Sequence, residues 1–128
     1  MMKWIPFLMM LVLFAGCAAP GRAVPGYRQI SMDDAIAMMK EDSGYIILDV
    51  RTPEEFRAGH IPGAINVPNE TIGSDEIPQL PDKGQLILVY CRSGNRSKQA
   101  SEKLAALGYT NIVEFGGIND WPGETVTE

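Results

Sequence analysis

The stretch "LILVYCRSGNRSKQASEKLAALGY", residues 86–109, decides how the rest of the chain is read. It opens on an apolar run from Leu86 to Tyr90, reaches Cys91, turns through a short polar loop and continues in a helical pattern. A strand without polar alternation is buried on both faces, the habit of parallel sheets with helices above and below. The helix expected over Ser97–Leu107 turns Ala100, Leu104 and Leu107 inward, and Gly108 closes it. Ligands of such sheets collect outside the carboxyl ends of the strands, where Cys91 stands. Gly94 gives the backbone freedom for a tight turn. Successive N–H groups of that turn can point inward as an anion seat, backed by the start of the helix. A cysteine there, with Arg92 and Arg96 in the same loop, is expected as a thiolate nucleophile. The competing reading is an inert core thiol; it suits a position inside the strand better than one abutting a polar loop.

Outward from this unit, strand and helix alternate. A short strand is expected over Tyr27–Ile30, then a helix capped by Ser31 with Met32, Ala35, Ile36 and Met39 on one face. Early Asp33 and Asp34 and late Lys40 suit the helix dipole. After Gly44, "YIILDV" is a second continuously apolar strand, Tyr45–Val50. "TPEEF" then starts a helix: Thr52 caps, Pro53 takes the first position and Glu55 completes a capping box. A short strand is expected over Ala64–Val67 and one helical turn near Asn69–Gly73, followed by a loop with Pro78, Pro81 and Gly84. "NIVEF" makes the last strand, before a final turn in "GGINDWPGE". This is the pattern of an α/β domain with a mainly parallel sheet.

With 128 residues the chain holds at most one ordinary domain. Its formal charge of -5 argues against a general nucleic-acid or anionic-membrane surface role. The first 16 residues read as a signal: Lys3, an apolar run from Trp4 to Ala15, then small residues. As a helix that run spans about 18 Å, short of a hydrocarbon core of roughly 30 Å. "FAGCAAP" resembles a bacterial lipoprotein signal, which implies acylation of Cys17 and a lipid-anchored, exported protein. Ala18 beside the lipid is compatible with an outer membrane facing the periplasm in a Gram-negative source. A plain secretory signal cut near Ala19 is the alternative. Residues 17–26 read as a tether and 27–128 as the domain. On either reading of the signal, Cys91 is left as the only free thiol, and no disulfide framework is expected.

The run "CRSGNRS", with "LDVRTPEEFRAGHIPGAINVP" before it and "EFGGINDW" after it, resembles the single-domain rhodaneses, thiosulfate or persulfide sulfurtransferases. The resemblance covers Ile30 to Trp121. It implies a rhodanese-like α/β fold, with a five-stranded, mainly parallel sheet flanked by helices on both faces. It implies that Cys91 takes a sulfane sulfur from thiosulfate or a persulfide donor and passes it to a thiol or cyanide acceptor. No metal or organic cofactor is implied. Arg92 and Arg96 would offset the charge of the donor, Arg92 with more weight for substrate contact; turning outward to solvent or pairing with a carboxylate is the alternative for either. Ser93, Gly94, Asn95 and Ser97 shape the loop and donate hydrogen bonds. Asp49 and Arg51 end the neighbouring strand as supporting charges; Asp49 is expected either to brace the loop by an ion pair to Arg96 or to meet a purely structural partner elsewhere. His60, the only histidine, reads as structural, because transfer through a thiolate needs no general base. Gly116, Gly117 and Trp121 are expected beside the loop.

Phosphatases and arsenate reductases with a cysteine loop resemble this arrangement too. Their loop is one residue longer than the four residues that separate Cys91 from Arg96, which weighs against phosphate chemistry. A membrane-tethered binding module and a thiol sensor that forms a disulfide with another molecule stay open as alternatives.

Overall fold

The structure is a computed structural model that describes residues 22–24 and 26–127. The apolar runs become the middle of the sheet. Strands β1 (Arg22–Val24), β2 (Tyr27–Gln29), β3 (Ile46–Asp49), β4 (Ile65–Asn66), β5 (Ile87–Cys91) and β6 (Ile112–Gly117) lie in the order β1-β2-β6-β5-β3-β4. Five of them, β2, β6, β5, β3 and β4, are parallel as expected. The sixth corrects the sequence reading: Arg22–Val24, taken as part of a tether, pairs antiparallel with β2. Gly26, at φ 88°, helps turn the chain back on itself. An edge pairing of this kind is made by backbone groups, so the composition of a tether does not forbid it. The signal and the Cys17 acylation site lie outside the described residues.

Helices α1 (Met32–Glu41), α2 (Pro53–Ala58) and α3 (Asn95–Ala106) cover both faces. Ser31 accepts the Asp34 N–H at 3.1 Å and so caps α1. In α2, Thr52 and Glu55 form the capping box, with Pro53 at the first position. Alternation along each strand divides the core in two. Leu48, Val50, Ile87, Val89 and Cys91 pack with Ala100 and Leu104 of α3 on one face. Ile47, Leu88, Tyr90, Val113 and Phe115 pack with Ala35 of α1 and Phe56 of α2 on the other. The helical turn expected near Asn69–Gly73 is a 3-10 turn, Asn69–Thr71, and the loop after it buries Ile72, Ile77 and Leu80 against the first cluster.

Two boundaries near the central turn also differ from expectation. Strand β5 continues one residue past Tyr90 to include Cys91, with an irregular register against β6 between Val89 and Cys91. Helix α3 starts at Asn95, not Ser97, because Gly94 takes a left-handed conformation, φ 111°, and serves as its N-cap.

Candidate active site

Cys91 is the last residue of β5 and only 1% exposed, so its sulfur sits on the floor of the turn. The Gly94 N–H points back at Sγ from 3.0 Å, one donor of the expected anion seat. Ser97, in the first turn of α3, holds its hydroxyl 3.4 Å from the same sulfur. Arg92, Ser93 and Asn95 are exposed on the rim, while Gly94 and Ser97 are buried beneath it. Arg92 makes no ion pair among the described residues and stands as the free cation of the rim.

The far wall of the turn comes from β6. An added Cβ at Gly117 would fall on the Arg92 carbonyl, so only glycine lets these two backbones come so close. Asn119 donates its N–H to that carbonyl at 3.2 Å. Gly116 Cα lies 3.7 Å from where a Gly94 Cβ would stand. Gly116 and Gly117 thus line the loop as expected. Trp121 packs with the second core cluster and donates its indole N–H to the Glu124 carbonyl.

The expected ion pair between Asp49 and Arg96 is absent. Asp49 points to the sheet face opposite Cys91 and is wholly buried among Arg51, at 2.7 Å, and the Tyr90 hydroxyl, at 2.6 Å. Arg51 also donates to the Gly59 carbonyl, and Tyr90 accepts the Ile61 N–H. Burial, then the Asp49 hydrogen bond, pushes the Tyr90 phenol well above its ordinary range. Burial pulls the Arg51 guanidinium down, but the bonds to Asp49 outweigh it and leave it higher than usual. Arg96 reaches Glu55 of α2 instead, with bonds of 2.6 and 3.0 Å. That contact, more than any other, draws the Glu55 carboxyl down from 4.5 to about 2. Strand alternation explains the exchange of partners: Asp49 and Cys91 stand on opposite faces, whereas Glu55 lies within reach of the start of α3.

His60 is 4% exposed, stacked on Phe56 with ring centroids 3.7 Å apart, and its Nδ1 is 2.8 Å from the Phe56 carbonyl. Its backbone pairs with Val126, which brings the end of the chain against the turn after α2. These contacts make His60 a packing residue. Beside the loop, Arg51, Glu55, Arg92, Asn119 and Thr125 border an open cleft of about 300 Å³. Among the described residues, no cluster of acidic, histidine and cysteine side chains is arranged to hold a metal.

Two partners of the site were missed in the sequence. Glu55 was read only as a helix cap. Glu114, the lone charge in the apolar strand "NIVEF", is 3% exposed and accepts from the Ser97 hydroxyl at 2.7 Å and the Gly116 N–H at 2.9 Å. A charge inside an otherwise apolar strand was the available signal.

Residues 31–124 match the model of the Rhodanese-like domain. The chain is 40% identical over 73 residues to the thiosulfate sulfurtransferase PspE of Escherichia coli, covering 57% of this chain and 70% of that protein. It is 33% identical over 104 residues to the thiosulfate sulfurtransferase GlpE of Pseudomonas entomophila, covering 77% and 92%. Among solved structures, a rhodanese with anions from E. coli superposes with a TM-score of 0.60 at 36% identity, covering 66% of this chain and 99% of that one. The chain belongs to the rhodanese-like family and is a rhodanese-type sulfurtransferase.

Proposed function

We propose that Cys91 carries sulfur as a persulfide between a thiosulfate or persulfide donor and a thiol or cyanide acceptor. The observation that carries this reading is the Cys91 sulfur on the floor of the turn, receiving the Gly94 N–H, with the exposed Arg92 on the rim of the same loop. The thiolate attacks the outer sulfur of thiosulfate, the S–S bond breaks, and sulfite leaves with the bonding pair. Cys91 is left as a persulfide anion. Cyanide or a thiolate then takes the outer sulfur and restores the Cys91 thiolate, so no redox partner is needed. Covalent catalysis of this kind divides one transfer into two easier ones. Arg92 offsets the charge of the incoming anion, and the backbone of the turn orients it. Arg96 acts at one remove, bracing the loop through Glu55. The cleft bordered by Arg51, Arg92 and Thr125 offers the acceptor a place to approach.

Intact mass before and after thiosulfate tests the proposal, with Cys91→Ser alongside. Gain of one sulfur atom, removed by cyanide and absent in the variant, is the expected result. No adduct from thiosulfate or glutathione persulfide would overturn it and favour a binding or thiol-sensing module with little turnover.

We further propose that the signal is removed before Cys17 and that acylated Cys17 holds the domain at a bacterial membrane, in a Gram-negative source the outer membrane facing the periplasm. The support is the apolar run ending in small residues and cysteine. Two acyl chains hold where one is marginal. Cys17→Ser should release the protein from membranes and lower its mass by the lipid; a variant still membrane-bound and unchanged in mass would overturn the anchor.

A further inference from the structure

One buried carboxylate near the nucleophile has no role in the transfer as written. Glu114 Oε1 lies 2.7 Å from Ser97 Oγ, and Ser97 Oγ lies 3.4 Å from Cys91 Sγ and 2.9 Å from the Gly94 carbonyl oxygen. All three side chains are buried: Cys91 is 1% exposed, Ser97 0% and Glu114 3%. No cation pairs with Glu114 among the described residues.

The hydrogen count at Ser97 is informative. A hydroxyl carries one proton, while an ionised carboxylate and a carbonyl only accept. With Glu114 ionised, Ser97 can donate to Glu114 or to Gly94, not to both. With Glu114 protonated, its Oε1 donates to Ser97 while still accepting the Gly116 N–H, and the Ser97 hydroxyl is free to donate to the Cys91 thiolate or the Gly94 carbonyl. The Gly94 N–H then serves a Cys91 thiolate. In the other arrangement the Cys91 thiol donates to Ser97, and Ser97 donates to an ionised Glu114. The two arrangements hold the same number of protons.

We propose that Cys91 and Glu114 share one proton through Ser97, with Glu114 holding it while the sulfur is a thiolate. This rests on Cys91 being the nucleophile of the transfer. The S–H bond breaks and its proton passes to Ser97 Oγ as the Ser97 hydroxyl proton passes to Glu114 Oε1. No electrons change hands, Ser97 ends as a hydroxyl, and the trio keeps a single negative charge throughout. A closed turn thereby makes its nucleophile without sending a proton out to solvent. Glu114 is a positioning residue in this scheme, since it touches neither the substrate nor the reacting sulfur.

Other charges face the pair. Arg96 lies within electrostatic reach of Cys91 and is held by Glu55 of α2, with Glu70 of the 3-10 turn nearby. Exposed Arg92 stands at the rim. Tyr27 of β2 lies within reach of Glu114 and of Glu102 on α3. Strand β3 and the residue after it present Ile46, Leu48 and Val50 on this face, and Asp49 lies behind the sheet with Arg51, whose side chain also borders the cleft near Arg92.

The test is the pH dependence of the Cys91 thiolate in the full chain, read by ultraviolet absorbance and by the rate of iodoacetamide alkylation. Cys91→Ser supplies the blank for Cys17. The wild type should titrate in two coupled steps. Glu114→Gln should titrate in one, lying about one pH unit or more below the upper wild-type step, because a neutral amide no longer opposes the thiolate. Glu114→Asp, which keeps a carboxylate, should restore the two steps. Superimposable curves for wild type and Glu114→Gln would overturn the proposal, whereas a merely structural role would lower stability without moving the curve. If Glu114→Gln does not fold, infrared difference spectra of the wild type decide: alkylating Cys91 should remove one protonated carboxyl band, and no change overturns the shared proton. A wild type that takes up no sulfur yet keeps two steps refutes the transfer and leaves the shared proton standing. Sulfur uptake with a single unshifted step refutes only the shared proton.

Discussion

At the scale of single residues, the turn around Cys91 depends on two glycines for different reasons. Gly94 must adopt a backbone angle that other residues resist, which aims its N–H at the sulfur. Gly117 is extended, at φ -137°, and needs no such freedom; what it lacks is a Cβ that would collide with the Arg92 carbonyl. Gly117→Ala should therefore push the rim outward, costing about 1–3 kcal/mol by overpacking. Loading of sulfur onto Cys91 should fall at least ~10-fold, on the order of the factor that 1.4 kcal/mol represents. Intact-mass kinetics and a thermal melt on the same sample check both effects. Normal loading with an unchanged melting temperature would show that the loop gives way at no cost.

At the scale of elements, the cap of α2 is also the brace of the active loop. Glu55 Oε1 accepts from Thr52 N–H at 3.2 Å and from Arg96 at 2.6 Å. The capping box was legible from "TPEEF", because the bonds of a cap are local and follow from spacing. Its second use was not, because Arg96 lies 41 residues away and only the folded sheet brings it near. The same limit misplaced Asp49, whose partner could not be chosen until strand alternation put it behind the sheet. Glu114 was written off as part of a strand. By contrast the five parallel strands, the three helices and the place of Cys91 were readable, since each rests on a run of apolar residues or a local turn. Two predictions follow from the shared cap. Thr52→Ala should destabilise the protein by about 1 kcal/mol, measured by urea unfolding. Glu55 is held down in the folded state, so its contribution is complete above its ordinary 4.5 and is lost as pH falls towards about 2. Stability measured from pH 5 downwards should fall less steeply in Glu55→Gln than in the wild type. Equal slopes would show that the contact to Arg96 does not survive in solution.

At the scale of the whole molecule, one buried network ties together segments far apart in the chain. Asp49 ends β3, Tyr90 lies in β5, and Arg51 reaches the Gly59 carbonyl after α2. Removing the charge with Asp49→Asn strands a buried guanidinium and should cost about 3–5 kcal/mol. Chemical denaturation measures the loss, and the folded fraction of the variant should still load sulfur, since Asp49 and the Tyr90 hydroxyl lie on the sheet face opposite Cys91 and only Arg51 reaches the cleft beside the loop. A fall in stability of well under 1 kcal/mol would mean that solvent already reaches the pair. The edge strand β1 has a further consequence at this scale. Arg22 stands opposite Gln29, and Gln29 beside Glu114, so the chain enters the sheet at the end where Cys91 lies. With Cys17 acylated as proposed, five peptide steps separate the lipid from Arg22, a leash of at most about 18 Å. The leash then joins the domain at its reactive end, within two nanometres of the bilayer. Reactants would meet this sulfurtransferase in a thin layer of water next to the headgroups, where low-molecular-weight thiols pass freely and bulky proteins do not.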